Sequence, residues 1–169
     1  MPVFKEPWKT NDKAFYLMQN GAITLFMNES ILQDEIDWLV SNNYEVITML
    51  ADSWNNEIDF HNEISEKLNF PGWYGHNLDA LNDCLSDIET DKEGIVIVFY
   101  DYEKFTAKFP TTAKHILDIF ESVSRFLLLF GKRFFCLVQT NDPHFQMNNL
   151  GSNSTNWNRK EWESKKRGI

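Results

Sequence analysis

Two patterns of apolar side chains alternate along this 169-residue chain. Short apolar runs bounded by turn residues are typical of strands, and they occur at 22–27, 44–50, 95–100 and 134–138. Apolar positions at helical spacing occupy 31–40, 57–68, 78–88 and 110–127. Because strands that alternate with helices pair in parallel through right-handed crossovers, the pattern predicts an α/β fold. We expect a three-layer sandwich in which helices cover a parallel sheet of three to four strands.

The sequence divides into three parts. Residues 1–43 hold a lead-in without a sustained period, then a strand and a helix, and we interpret them as an N-terminal βα addition to the same sheet. Residues 44–142 carry the other three strands and form the main domain. Residues 143–169 begin with an Asn-, Ser- and Gly-rich stretch that predicts a surface loop, and a short basic helix is predicted at 157–166.

The apolar segments, cysteines and histidines limit the classes of protein to which this chain could belong. An apolar span of about 19 residues and a charged-then-apolar leader are both missing, so we expect a soluble, cytoplasmic protein without membrane contact. Cys84 and Cys136 lie on apolar segments and are predicted to be buried, reduced thiols. Neither zinc nor any other cofactor is indicated by the Cys and His spacing. The dispersed histidines are expected at the surface or its boundary: His61, His115 and His144.

The stretch 70–85 places an aromatic turn before a helix with two different faces. Asn77 is a good N-cap because its side-chain oxygen can accept a first-turn N–H, so the helix is predicted to begin near 77. One face is apolar and suited to the core: Leu78, Leu81, Cys84, Leu85 and Ile88. The opposite face is polar: Asp79, Asn82, Asp83 and Ser86. Asp79 and Asp83 repel each other one turn apart, and only Asp79 gains from the helix dipole. A solvated acidic face is the simplest interpretation.

Charge is distributed unevenly within a net charge of −9. Between Glu57 and Glu89 there are eight acidic residues and one lysine, whereas 157–169 carries five basic and two acidic residues. A concentrated negative surface repels nucleic acid and accelerates encounter with a cationic partner. Direct binding of nucleic acid by the main domain is therefore not expected.

A gap-free motif runs through the acidic helix and the turn before it. It is made of Phe70, Pro71, Trp73, Tyr74, Gly75, Asn77, Leu78, Asp79, Ala80, Leu81, Asp83, Cys84 and Leu85. The motif resembles the barstar family, small intracellular proteins that inhibit secreted ribonucleases by plugging the active site. The resemblance implies a barstar-like domain at 44–142. It also implies a non-catalytic ribonuclease inhibitor or toxin-immunity protein, whose partner is a basic ribonuclease or toxin nuclease domain.

The resemblance assigns roles to individual positions. Asp79 and Asp83 would enter the cationic site of the enzyme in place of RNA phosphates, and Trp73 would pack near its catalytic histidine. Gly75 would touch the partner through its backbone, and Asn77 would be both cap and contact.

Several positions depart from the family pattern. Asn82 replaces a contact tryptophan, and we still expect this position to face the partner. His76 replaces an acidic residue and Ile88 replaces a second tryptophan. A contact glutamate of a later helix falls at Ser122, with Glu121 adjacent on a different face. These departures leave the identity of the nuclease open.

Two other interpretations remain. Asp79, Asp83 and His76 could hold Mg²⁺ or Mn²⁺ in a divalent-metal enzyme, although no phosphate-binding glycine loop or activated nucleophile accompanies them. Alternatively, the domain could be a protein-interaction module with a non-nuclease partner.

Overall fold

The four predicted strands and the four long predicted helices all form. The computed structural model describes residues 3–163. The helices are α1 (Pro7–Thr10), α2 (Lys13–Met18), α3 (Glu29–Ser41), α4 (Glu57–Lys67), α5 (Leu78–Ser86), α6 (Tyr102–Lys108), α7 (Pro110–Leu128) and α8 (Arg159–Trp162). The strands are β1 (Ile23–Phe26), β2 (Glu45–Leu50), β3 (Ile95–Tyr100), β4 (Phe134–Gln139) and β5 (Asn156–Trp157), and a short 3₁₀ turn follows β2 at Ala51–Ser53.

The sheet is parallel throughout, with the strand order β2-β3-β4-β1-β5. The α/β prediction is therefore confirmed, although the sheet has five strands where three to four were expected. The fifth strand is only two residues long and pairs with Thr24 and Leu25 of β1. A two-residue strand carries no apolar run, so its existence depends on the tertiary pairing and could not be read from periodicity.

Helices cover both faces of the sheet. On one face, the Phe99 ring of β3 meets Phe60 of α4 and Phe120 of α7. On the other face, Phe135 of β4 meets Tyr44, which in turn contacts Trp38 of α3. Strands covered on both faces read as continuous apolar runs, which is why β3 and β4 were recognisable in the sequence.

Both cysteines are free and buried, as predicted. Burial raises the pKa of the Cys136 thiol far above its ordinary value, so the thiol stays protonated and unreactive. Within residues 3–163, no helix is both long and apolar enough to cross a membrane.

Two buried carboxylates hold the terminal segments in place: Glu121 binds both segments to α7, and Glu161 binds the C-terminal segment to the N-terminal one. Glu121 of α7 is 1% exposed; it accepts the Ala22 N–H at 2.7 Å and an Asn153 side-chain N–H at 2.6 Å. Glu161 of α8 accepts the N–H groups of Met27 and Asn28 at 3.0 and 2.8 Å. Hydrogen bonds to ionised acceptors are stronger than neutral ones, so each carboxylate fastens a segment remote in sequence.

Local features explain the differences from the sequence predictions in the first half of the chain. The lead-in forms two short helices, because Pro7 suits a first helical position and the Asp12 side chain caps α2 by accepting two N–H groups. Helix α3 begins at Glu29, two residues before the apolar positions that predicted it, because the Asn28 side chain caps it by accepting the Ser30 N–H.

In the second half, α6 was missed. Only Tyr102 and Phe105 of its seven residues are buried, too few positions to show a period. The segment after Pro143 was predicted to be a surface loop, but it buries Phe145, Met147 and Leu150 in the core. The predicted basic helix at 157–166 is shorter: Trp157 lies in β5, α8 spans Arg159–Trp162, and residues 164–166 lie outside the described residues.

Glu121→Ala should lower the free energy of unfolding by about 2–4 kcal/mol, because the buried Ala22 N–H and the partly buried Asn153 side-chain N–H lose their acceptor. Urea unfolding measures this loss, and hydrogen exchange should locate it in β1. Ser122→Ala removes an exposed hydroxyl on the same helix and is the matched control. Equal stabilities of the two variants would show that Glu121 does not anchor the N-terminal segment.

Candidate functional site

Helix α5 starts at a cap that also fixes the preceding turn. The Asn77 side-chain oxygen accepts the Ala80 N–H at 2.9 Å, and its side-chain amide donates to the Gly75 carbonyl at 3.2 Å. A Cβ built at Gly75 would lie 2.9 Å from that amide nitrogen, so the close approach favours glycine. The predicted N-cap is confirmed.

The two faces of α5 are oriented as the helical wheel predicts. Leu81, Cys84 and Leu85 are buried, and the helix packs mainly against α7. Asp79, Asn82 and Asp83 are exposed, and we call these three residues the acidic face. Among residues 3–163, neither aspartate has a side-chain hydrogen bond or an ion-pair partner. The acidic face therefore presents two unneutralised carboxylates to solvent, and the described terminal segments do not cover it.

Carboxylates near the end of α5 act on the Cys84 thiol on the buried side of the helix. Burial is the main cause that raises the pKa of the Cys84 thiol, and the carboxylates of Asp83 and Asp87 raise it further. The thiol is thus held protonated, which makes it a poor nucleophile and a poor metal ligand.

The aromatic turn before α5 is anchored by Tyr74 and exposes Trp73. The Tyr74 ring is buried against Phe70 with 4.9 Å between ring centroids, and its N–H donates to the Pro71 carbonyl at 2.9 Å. The Trp73 side chain is 67% exposed. The turn holds an indole beside the acidic face at little further conformational cost.

Two histidines hydrogen-bond to Tyr74 of the turn, and the buried one corrects a sequence prediction. His61 of α4 is only 4% exposed, whereas the sequence placed it at the surface or its boundary. Its Nδ1 shares a hydrogen bond of 2.5 Å with the Tyr74 hydroxyl. His76, in a left-handed conformation at φ 51°, donates from Nδ1 to the Tyr74 carbonyl at 2.9 Å. His61 lies next to Phe60, at the edge of the apolar stripe of α4, so the helical pattern alone does not show whether it is buried. Its burial depends on Tyr74, which lies 13 residues further along the chain.

Burial lowers the pKa of His61 to about 4, with a smaller contribution from neighbouring His76 that Glu57 partly opposes. Burial also raises the pKa of Tyr74 well above its usual value. The pair is therefore neutral at physiological pH, and its hydrogen bond persists.

The other candidate residues lie outside α5 and the turn before it. Glu121 is buried and binds the terminal segments, while Ser122 is exposed on α7. His115 and His144 are exposed, as predicted. In the described part of the chain, no group of three or more His, Cys, Asp or Glu is placed to hold a metal ion.

Acidification should weaken the fold through His61. Its pKa is about 4 in the folded state and about 6.5 unfolded, so the unfolded state binds more protons between these values. Stability should fall as pH drops from 6.5 to 4, and this residue should account for about 2 kcal/mol by pH 5. Urea unfolding across this range should show the loss in the wild type.

The variant His61→Gln should lack that part of the pH dependence, whereas His115→Gln, at an exposed histidine, should keep it. Parallel pH profiles for the wild type and His61→Gln would contradict the assignment.

A comparison with known families covers the region that contains this site. The family model described as Barstar (barnase inhibitor) matches residues 44–139, from the start of β2 to the end of β4. No protein with curated annotation matches the sequence. The matched region is more than half of the chain and includes the aromatic turn, α5 and three adjacent parallel strands. The chain therefore belongs to the barstar family.

Proposed function

We propose that this protein is a ribonuclease inhibitor or toxin-immunity protein that binds a cationic nuclease through the acidic face and the aromatic turn. The observation that carries the proposal is the pair Asp79 and Asp83, exposed and unpaired on a helix whose other face is buried. The description of the matching family as barnase inhibitors supports a protein partner and a non-catalytic role.

The chemistry of ribonucleases explains why two carboxylates suffice for recognition. An RNA-cleaving site concentrates cationic groups that stabilise the developing charge on phosphorus. Asp79 and Asp83 are separated by about 6 Å along the helix axis, since α-helices rise about 1.5 Å per residue. Carboxylates held at this spacing can occupy neighbouring phosphate subsites without offering a bond to cleave. The inhibitor thus imitates the charge of RNA but not its reactivity.

The remaining contacts follow from their positions around the acidic face. Trp73 would pack near the catalytic histidine of the nuclease, where a large aromatic side chain that loses its water on binding is an effective anchor. Gly75 would offer its backbone, and Asn77 would contact the partner while capping α5. Asn82 lies between the aspartates on the same exposed face and would contribute a smaller, polar contact in place of the family's tryptophan.

Location follows from the proposed role. An immunity protein protects the cell that makes the nuclease, so we propose that it acts in the cytoplasm. The long-range field of eight acidic residues between Glu57 and Glu89 would speed capture of a basic toxin there.

Neutralising the carboxylates should separate binding from folding. Asp83→Asn should weaken binding to the nuclease at least about 30-fold, since losing one member of a buried charge pair costs about 2–5 kcal/mol; members of this family supplied some of those reference values. The same substitution should leave stability unchanged or raise it by a few tenths of a kcal/mol, because it removes a repulsion within α5. Asp79→Asn should also weaken binding.

The matched control is Asp34→Asn, which removes an exposed charge on α3, across the sheet from α5. Immobilised wild-type protein and the Asp79→Asn/Asp83→Asn double variant would be used to capture proteins from the native host. Proteins retained by the wild type and by Asp34→Asn, but not by the double variant, would be identified and assayed for RNA cleavage. Retention of a nuclease by all three proteins would contradict the proposed site, and a specific partner without nuclease activity would contradict the proposed function.

A further inference from the structure

A small pocket lies beside the acidic face, on the side where α5 ends. It has a volume of about 210 Å³, and we call it the Trp73 pocket. Its principal walls are Phe70, Pro71, Trp73, Cys84, Asp87 and Ile88. Ligand pockets for small molecules usually measure about 300–1,000 Å³, so this one suits a single side chain better than a nucleotide or a metabolite.

The pocket combines an apolar interior with an acidic rim. Phe70 and Ile88 are half-buried, whereas the Trp73 indole is largely exposed and forms one wall. Asp87 and Glu89 supply the charge, and no lysine or arginine lines the pocket. Of these two carboxylates, Glu89 forms an ion pair with Lys132 at 2.7 Å. Asp87 has no ion-pair partner among the described residues.

This combination selects a long side chain with an apolar stem and a cationic head. Arginine fits best, because its planar guanidinium stacks on indole faces and donates two parallel hydrogen bonds to one carboxylate. Lysine offers a compact, strongly hydrated charge that gains less from an aromatic wall. A purely apolar side chain would leave the Asp87 charge without a counterion at the rim of the interface.

We propose that the Trp73 pocket binds an arginine side chain of the partner, with its stem on Phe70 and Ile88 and its guanidinium between Trp73 and Asp87. This proposal rests on the proposed function in one respect: the partner must bind α5 on the side that carries the acidic face and the Trp73 pocket. The partner must then carry an arginine outside the cluster that meets Asp79 and Asp83. Ile88 replaces the tryptophan expected from the family motif, so the pocket would set specificity for a particular nuclease.

The isolated protein can test the pocket without any nuclease. The probe is N-acetyl-arginine amide, titrated while NMR follows the Trp73 indole N–H and the backbone N–H groups of 87–89. We expect saturable shifts with a dissociation constant near the millimolar range, which corresponds to about −4 kcal/mol. The lysine analogue should bind several-fold more weakly, and the neutral citrulline and isoleucine analogues should not bind detectably.

Two variants assign the binding to the pocket. Asp87→Asn should abolish saturable binding of the arginine probe, whereas Asp91→Asn removes an exposed charge outside the pocket and should leave it intact. Trp73→Leu should weaken binding while unfolding curves confirm that the fold is kept. Equal shifts with arginine and citrulline analogues, or unchanged binding to Asp87→Asn, would overturn the proposal.

The outcomes also separate this proposal from the proposed function. With a captured nuclease, Asp87→Asn should weaken binding about 2- to 5-fold, a rim-pair effect smaller than that of Asp83→Asn. If the isolated protein binds the arginine probe but no nuclease partner is captured, the pocket proposal is supported and the inhibitor role is contradicted. A nuclease whose binding depends on Asp83 but not on Asp87 would retain the inhibitor role and discard the pocket.

Discussion

The packing of the apolar face of α5 against α7 is the contact that holds the acidic face in position. Full burial of a leucine is worth about 1.5–3 kcal/mol, and Leu81 and Leu85 are both fully buried. Repulsion between Asp79 and Asp83 costs only a few tenths of a kcal/mol. Packing therefore outweighs repulsion by an order of magnitude, and the helix can hold two like charges in one orientation. The Asn77 cap adds about 1 kcal/mol and fixes where the helix begins.

The N- and C-terminal segments extend the sheet beyond the region that the family model matches. The family match ends at residue 139, at the end of β4. If the sheet held only the three matched strands, β4 would be an edge strand, although all its residues are buried in the full structure. In the full chain, β1 pairs with that edge, and Glu121 and Glu161 hold the neighbouring segments by hydrogen bonds to backbone and side-chain N–H groups. An unpaired apolar edge invites association with other chains. Strand β1 thus covers the edge of β4, and β5 of the C-terminal segment pairs in turn with β1. The acidic face of α5 stays exposed beside this arrangement.

How well the sequence predicts this structure depends on the range of the interactions. Helix α5 was predictable because its cap, its apolar stripe and its polar face all lie within about ten consecutive residues. Strands β3 and β4 were predictable for the same reason, since burial on both faces leaves a continuous apolar run. Helix α6 and strand β5 were missed because each contributes too few residues to show a period. The buried positions of His61 and Glu121 were missed because Tyr74, Ala22 and Asn153, which bind them, are distant in sequence.

The central claim is that the acidic face occupies the place of RNA in a nuclease site. Steady-state cleavage of RNA by the captured nuclease, measured at increasing inhibitor concentrations, tests it most directly. With inhibitor in excess over enzyme and binding allowed to equilibrate in the presence of RNA, competition for the phosphate subsites predicts that the apparent KM for RNA rises in proportion to inhibitor while kcat stays constant. A fall in kcat at constant KM would place the inhibitor away from the RNA site and contradict the account.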